Sequence, residues 1–196
     1  MTTPASFSAP PTDLLAALRE IDGVESVLGE PSGAWRLDLR SDADATRVDA
    51  AVAGLLSDRF GLVGATTDLV ERMGPVVADG RLAVEELELV DRPGAVSARV
   101  GMSLDGRSAP GSAEAESAAE AVGAAILLAL EELTEDAVIG TIDGVRVDSD
   151  GIARVRLRLD VDGTEELAEA EAAVLRSTPQ AVVRAVLTAV EPHLPT

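Results

Sequence analysis

Apolar and polar residues alternate strictly through two stretches of the chain. Val96, Ala98, Val100, Met102 and Leu104 are separated by Ser97, Arg99, Gly101 and Ser103; Ala153, Val155, Leu157, Leu159 and Val161 are separated by Arg154, Arg156, Arg158 and Asp160. A period of two predicts a strand with one face buried and the other in water. Each stretch runs into an Asp-Gly pair, Asp105-Gly106 and Asp162-Gly163. That pair suits a two-residue hairpin, because glycine enters positive φ without penalty.

The likeness of the two stretches extends in both directions. Upstream of each lies Val-Asp-x-x-Gly, as Val90-Asp91…Gly94 and Val147-Asp148…Gly151, which predicts a turn from a preceding strand; Arg92-Pro93-Gly94 fits a type II turn. Downstream comes a third, alanine-rich strand, Gly111–Ala115 in one copy and Ala168–Ala172 in the other. A helix follows, in which Ala121, Val122, Ala125, Leu127, Ala129 and Glu131 recur as Ala181, Val182, Ala185, Leu187, Ala189 and Glu191. Residues 81–136 and 137–196 therefore read as two copies of a βββα unit. Leu87 and Leu89 are out of step by one with Val145 and Val147 relative to the turns, which calls for a bulge or a shifted register in one copy.

The N-terminal third has a different pattern. Thr12-Asp13 caps a short helix with Leu14, Leu15 and Leu18 on its apolar face, and Ile21-Asp22-Gly23-Val24 leads into a strand. Pro31-Ser32-Gly33 turns into a second strand at Ala34–Arg40. A helix starting at Asp42 or Asp44 then buries Val48, Ala51, Val52, Leu55 and Leu56. The expected class is α+β: a small α-β-β-α module at 12–62, a connector at 63–80 holding one short helix, and a pseudo-symmetric pair of βββα units at 81–196.

Composition narrows the possible functions. With 35 acidic against 16 basic residues the formal charge is −19, and all the basic residues are arginine. Such a field repels phosphate backbones and anionic headgroups, so neither a nucleic acid nor a membrane surface is an expected partner. The chain lacks cysteine, which removes disulfides, thiolate nucleophiles and cysteine metal sites. Met1–Pro11 has no basic segment followed by an apolar one, so the expectation is a cytoplasmic protein with a frayed start. The most apolar run, Ala121–Leu130, is shorter than the roughly 20 residues a spanning helix needs.

Phosphate-loop, dinucleotide-binding, nucleophile-elbow and zinc-protease motifs do not occur, and without lysine there is no Schiff base. His193, between Pro192 and Pro195, has no partner at a meaningful spacing and reads as a solvated tail residue. Glu85-Glu86, Glu131-Glu132 and Glu165-Glu166 are three carboxylate pairs among many, and nothing in the sequence splits their environments for acid–base work. Asp148-Ser149-Asp150-Gly151 lacks the spacing of a calcium loop, so no metal or cofactor is expected. The arrangement that stands out is Arg154, Arg156 and Arg158, on one strand face about 7 Å apart. These three are the candidate binding residues for an anion or a protein partner. The competing reading pairs them across strands with carboxylates such as Glu169 and Glu171.

Both repeat helices are apolar over more than one stripe. Val122, Ile126, Leu130 and Leu133 form one, with Leu127 and Leu128 off it. A second partner is therefore needed, either the sister helix or another chain, and a homodimer built on the helices is the expectation.

The tandem units, with helices of the type Ala-Val-x-x-Ala-x-Leu-x-Ala-φ-Glu, resemble the C-terminal allosteric domain of 2-isopropylmalate synthases. The likeness covers residues 81–196 and is best at Gly111–Ala115 and Ala121–Leu133. In that family two such units pair, mediate dimerisation and bind leucine as a feedback inhibitor; the catalytic barrel has no counterpart here. Residues 14–62 are faintly similar to small ferredoxin-like regulatory modules. The resemblance implies a non-catalytic, dimerising protein that senses a small metabolite. The alternatives are a protein-interaction module docking through its acidic surface or its Arg stripe, and an enzyme using only Asp or Glu.

Overall fold

The computed structural model describes residues 12–29, 35–40, 43–62, 67–77, 81–92, 94–175 and 177–195. The expected frayed start at Met1–Pro11, the turn at Pro31-Ser32-Gly33, Asp42 as a helix start and Pro93 of the proposed turn lie outside them. The chain forms two compact units, residues 1–71 and 72–196, in an α+β arrangement.

In the first unit α1 (Thr12–Arg19) and α2 (Ala45–Phe60) accompany β1 (Val24–Gly29), β2 (Trp35–Leu39) and β3 (Thr67–Met73), within which the chain passes to the second unit. Asp44 starts α2, its carboxylate accepting the Arg47 amide at 3.1 Å. Gly61 ends it at φ 64°, where the left-handed cap lets the Gly61 and Leu62 amides close on Ser57 and Leu56. The helices cover one face of the strands, burying Leu14, Leu18, Trp35, Leu37, Val48, Val52, Leu56 and Leu69 in one cluster. β1 and β2 are antiparallel, and β3 lies parallel to β2 with Leu37 opposite Leu69.

That strand corrects the expected connector. Where a short helix was expected between Val63 and Gly80, the described residues form β3 and the two-residue β4 (Val76–Val77). The spacing of Leu69, Val70 and Met73 suits a helix turn. Pairing along the whole of β2 outweighs that local pattern.

The second unit repeats strand-strand-strand-helix twice: β5 (Leu82–Arg92), β6 (Ala95–Leu104), β7 (Arg107–Ala115), α3 (Ala118–Leu133), then β8 (Val138–Val147), β9 (Ile152–Val161), β10 (Thr164–Ala173), α4 (Thr178–Val190). A single 3-10 turn, Glu191–His193, follows. Within each repeat the strands form an antiparallel meander, β5-β6-β7 and β8-β9-β10, with β4 paired to the start of β5. Both Asp-Gly hairpins place both residues at positive φ, Asp105 at 50° and Gly106 at 82°, Asp162 at 49° and Gly163 at 82°. This is the turn whose twist matches that of the flanking strands. Ser117 and Ser177 cap the helices by accepting the Glu120 and Gln180 amides.

The out-of-step residues lie between the bulges and the turns, so it is the turns that set them out of step. Both copies carry a bulge, at Glu85 between Val84 and Glu86 and at Asp143 between Ile142 and Gly144, where one was expected. The first turn joins the facing pair Arg92 and Ala95, whereas the second is longer, with Asp148 hydrogen-bonded to Ile152.

The helices form a layer between the two meanders. α3 lies against β6 and β7 on one side, β8 on the other, and α4 beside it. The approach is close: a Cβ on Gly111 of β7 would lie 2.0 Å from the Ala125 carbonyl, and one on Gly123 would lie 2.3 Å from Ile142 Cδ1 of β8. Leu127, off the first stripe, is buried over Gly140. The end of α3 meets the start of β7 through Arg107 and Glu135 (2.9 Å). The chain beyond α4 meets the same edge through Arg81, which donates to the Pro195 carbonyl at 3.1 Å. The two helices therefore run in the same direction. The apolar excess expected to build a dimer is absorbed inside one chain, apart from Leu128, 49% exposed.

Candidate functional site

Strand periodicity places Ala153, Val155, Leu157 and Leu159 of β9 inward and fully or nearly fully buried. Arg154, Arg156 and Arg158 then lie on the outer face, in the middle strand of the β8-β9-β10 sheet. The register sets their neighbours: Arg154 lies between Arg146 and Glu171, Arg156 between Gly144 and Glu169, and Arg158 between Thr141 and Leu167.

Each of the three predicted residues is held by the protein's own carboxylates. Arg154 pairs with Asp148 at 2.6 Å and with Glu171; Arg156 pairs with Asp143 at 2.7 Å and Glu169 at 3.9 Å; Arg158 pairs with Glu165 at 2.9 Å and Asp143 at 3.6 Å. Arg146 reaches Asp148 at 3.4 Å. The hydrogen bond from Arg154 holds the Asp148 carboxyl below the ordinary carboxylate range, with Arg146 adding to the effect. The same bond, followed by Glu171, raises the Arg154 guanidinium.

Two residues of this face escaped the sequence reading. Asp143 is the bulged residue of β8 and so turns its carboxylate toward two arginines at once. Gly144 leaves the surface bare: a Cβ there would meet nothing within 4 Å. A depression of about 420 Å3 opens there, lined by Gly144, Arg146, Arg154, Arg156, Glu169 and Glu171. The signal was an isolated glycine inside a strand, which marks a bulge or an open surface. Across the sheet the depression runs from guanidinium on β8 and β9 to carboxylate on β10. It can therefore meet both an anionic and a cationic group of one small molecule.

His193 is not the solvated tail residue expected. Its side chain is 20% exposed, and Nδ1 lies 3.0 Å from Glu166 on β10. Glu165 meanwhile pairs with Arg158 on the opposite face, so these neighbouring glutamates do not share a site. Asp148 is engaged by two arginines, and among the described residues no group of three or more acidic or histidine side chains is placed to hold a metal ion. No described helix is long and apolar enough to cross a membrane. No protein-family profile matches the chain, and no curated protein matches it.

Proposed function

We propose that this is a non-catalytic regulatory protein whose second unit binds a small metabolite on the outer face of the β8-β9-β10 sheet. The observation that carries the reading is the coincidence of the open depression over Gly144 with the Arg154–Arg156 stripe and the opposing Glu169 and Glu171. A ligand carrying an anionic group next to a cationic one would replace the long Arg156–Glu169 contact of 3.9 Å by two shorter ones. The twice-repeated βββα order supports the same reading through its likeness to the allosteric domain of 2-isopropylmalate synthases, as does the state of the carboxylates. Those of the stripe are engaged by guanidinium groups, and Asp148 is held ionised, a poor state for a general acid near neutral pH. A cytoplasmic location belongs to this reading; the helix surfaces that suggested a homodimer are taken up within the chain.

The test is a thermal-shift panel of amino acids and small carboxylic acids on the wild-type protein and on Gly144→Leu, which sets a side chain into the depression from a position where an added Cβ meets nothing within 4 Å. A ligand at about 100 times its dissociation constant stabilises by about 2.7 kcal/mol. We expect a shift in the wild type that Gly144→Leu abolishes. A panel without any shift, or a shift equal in both proteins, would overturn the reading.

A further inference from the structure

Among the described residues the two repeats end their sheets on edge strands, β7 and β10, and treat those edges differently. In a two-residue hairpin the pair closing the loop is hydrogen-bonded, and bonded pairs then alternate with non-bonded ones along the ladder. From Leu104–Arg107 and Val161–Thr164, with unbroken registers, the backbone groups that point away from the sheet belong to Ser108, Pro110, Ser112 and Glu114 in β7. In β10 they belong to Glu165, Leu167, Glu169 and Glu171. Pro110 and Leu167 hold the same place, the fourth pair from the hairpin, opposite Gly101 and Arg158. In β7 the outward amide at that place is removed by proline, a common protection of an exposed edge. In β10 it is present, under a leucine that is 65% exposed.

β10 is also the more regular edge of its sheet, since β8 is broken by its bulge at Asp143. What guards β10 is charge. Glu165, Glu169 and Glu171 share the outer face with Leu167; each is paired with an arginine of β9 yet more than half exposed, and a second β10 laid antiparallel about Leu167 would set Glu165 against Glu169. Such a guard turns away copies of this acidic chain and attracts a strand of the opposite sign. We infer that the free edge of β10 is a strand-addition site for an extended basic segment of a partner protein. The segment's backbone bonds to Glu165, Leu167, Glu169 and Glu171, its basic side chains lie over the glutamates, and an apolar side chain covers Leu167.

The probe is a labelled peptide of about ten residues, a strand's length, whose alternate positions read arginine, arginine, valine, arginine, to face Glu171, Glu169, Leu167 and Glu165, with threonine between them; the control carries glutamate in place of each arginine. The basic peptide should bind the full chain, weaken as salt rises, and lose about tenfold or more in affinity to Leu167→Pro. That variant copies the first repeat's own solution at Pro110, and the outward amide it removes does not serve the β9 ladder. Amide exchange supplies a readout independent of the variant: the amides of Glu165, Leu167, Glu169 and Glu171 should become protected on binding. Equal affinity of wild type and Leu167→Pro, binding without that protection, or equal binding of the acidic peptide would overturn the inference. So would a homodimer of the free protein that Leu167→Pro dissociates, because the edge would then serve a second copy. Gly144→Leu leaves this edge intact, so the outcome is separate from that of the metabolite test.

Discussion

Gly111 and Gly144 are both strand glycines, yet they do opposite things. At Gly111 a methyl group would meet the Ala125 carbonyl at 2.0 Å and the Ala129 amide nitrogen at 2.9 Å, backbone atoms that cannot rotate away. The corresponding place in the second repeat is Ala168, opposite Leu157 as Gly111 is opposite Val100. The second repeat accommodates a methyl there; the first does not. Gly111→Ala should therefore cost about 1–3 kcal/mol, the usual cost of overpacking. Gly144→Ala should change stability by less than about 0.5 kcal/mol. Urea unfolding of the two variants checks this, and equal losses would contradict the close approach of α3 to β7.

At the scale of elements, β9 carries the argument. Leu157 is wholly buried beneath the sheet, while the side chain of its neighbour Arg156 is 53% exposed above it. Leu157→Asp should unfold the second unit, since an unpaired carboxylate in an apolar layer costs several kcal/mol. Arg156→Ala removes two exposed ion pairs and should cost about 0–1 kcal/mol. Circular dichroism melts distinguish them, and similar effects would mean the strand faces are reversed. The strict alternation from Ala153 to Val161 makes this element, its hairpin and its buried face legible in the sequence. The same holds for β6 and for the capped helices. β3 was not legible, because its partner β2 lies far back in the chain and supplies an ordering force that no local window contains. The site was half legible. The Arg stripe follows from periodicity, but its pairing with Asp143 depends on a bulge, and the depression depends on the side chain that Gly144 lacks.

For the molecule as a whole, pH separates two kinds of carboxylate. Asp105 and Asp148 are held below the ordinary range by hydrogen bonds from Arg81 and Arg154. A depressed group contributes stability above its unfolded pKa, and that stability is lost as pH falls through its folded pKa. Glu71 is the reverse case, raised by burial, so its contribution is present below the unfolded value and lost as pH rises through the folded one. Lowering pH from neutrality should thus first raise the melting temperature, as Glu71 protonates and the charge of −19 relaxes. It should then lower it below about pH 4, as the aspartates protonate. Glu71→Gln should raise the melting temperature at pH 7 and not below the glutamate range. A steady decline from pH 7 downward would refute this balance.

The parallel helix layer, with a meander on each side, has a consequence for ancestry. One βββα unit alone would turn Gly123 and Leu127, on the flank of α3 now packed against Ile142 and Gly140 of β8, out to water. A half-length forebear of this domain would have covered that flank by pairing with its twin. Joining the twins in one gene freed each half to diverge: proline on one edge strand and leucine on the other are differences that a symmetric pair of identical chains could not have held.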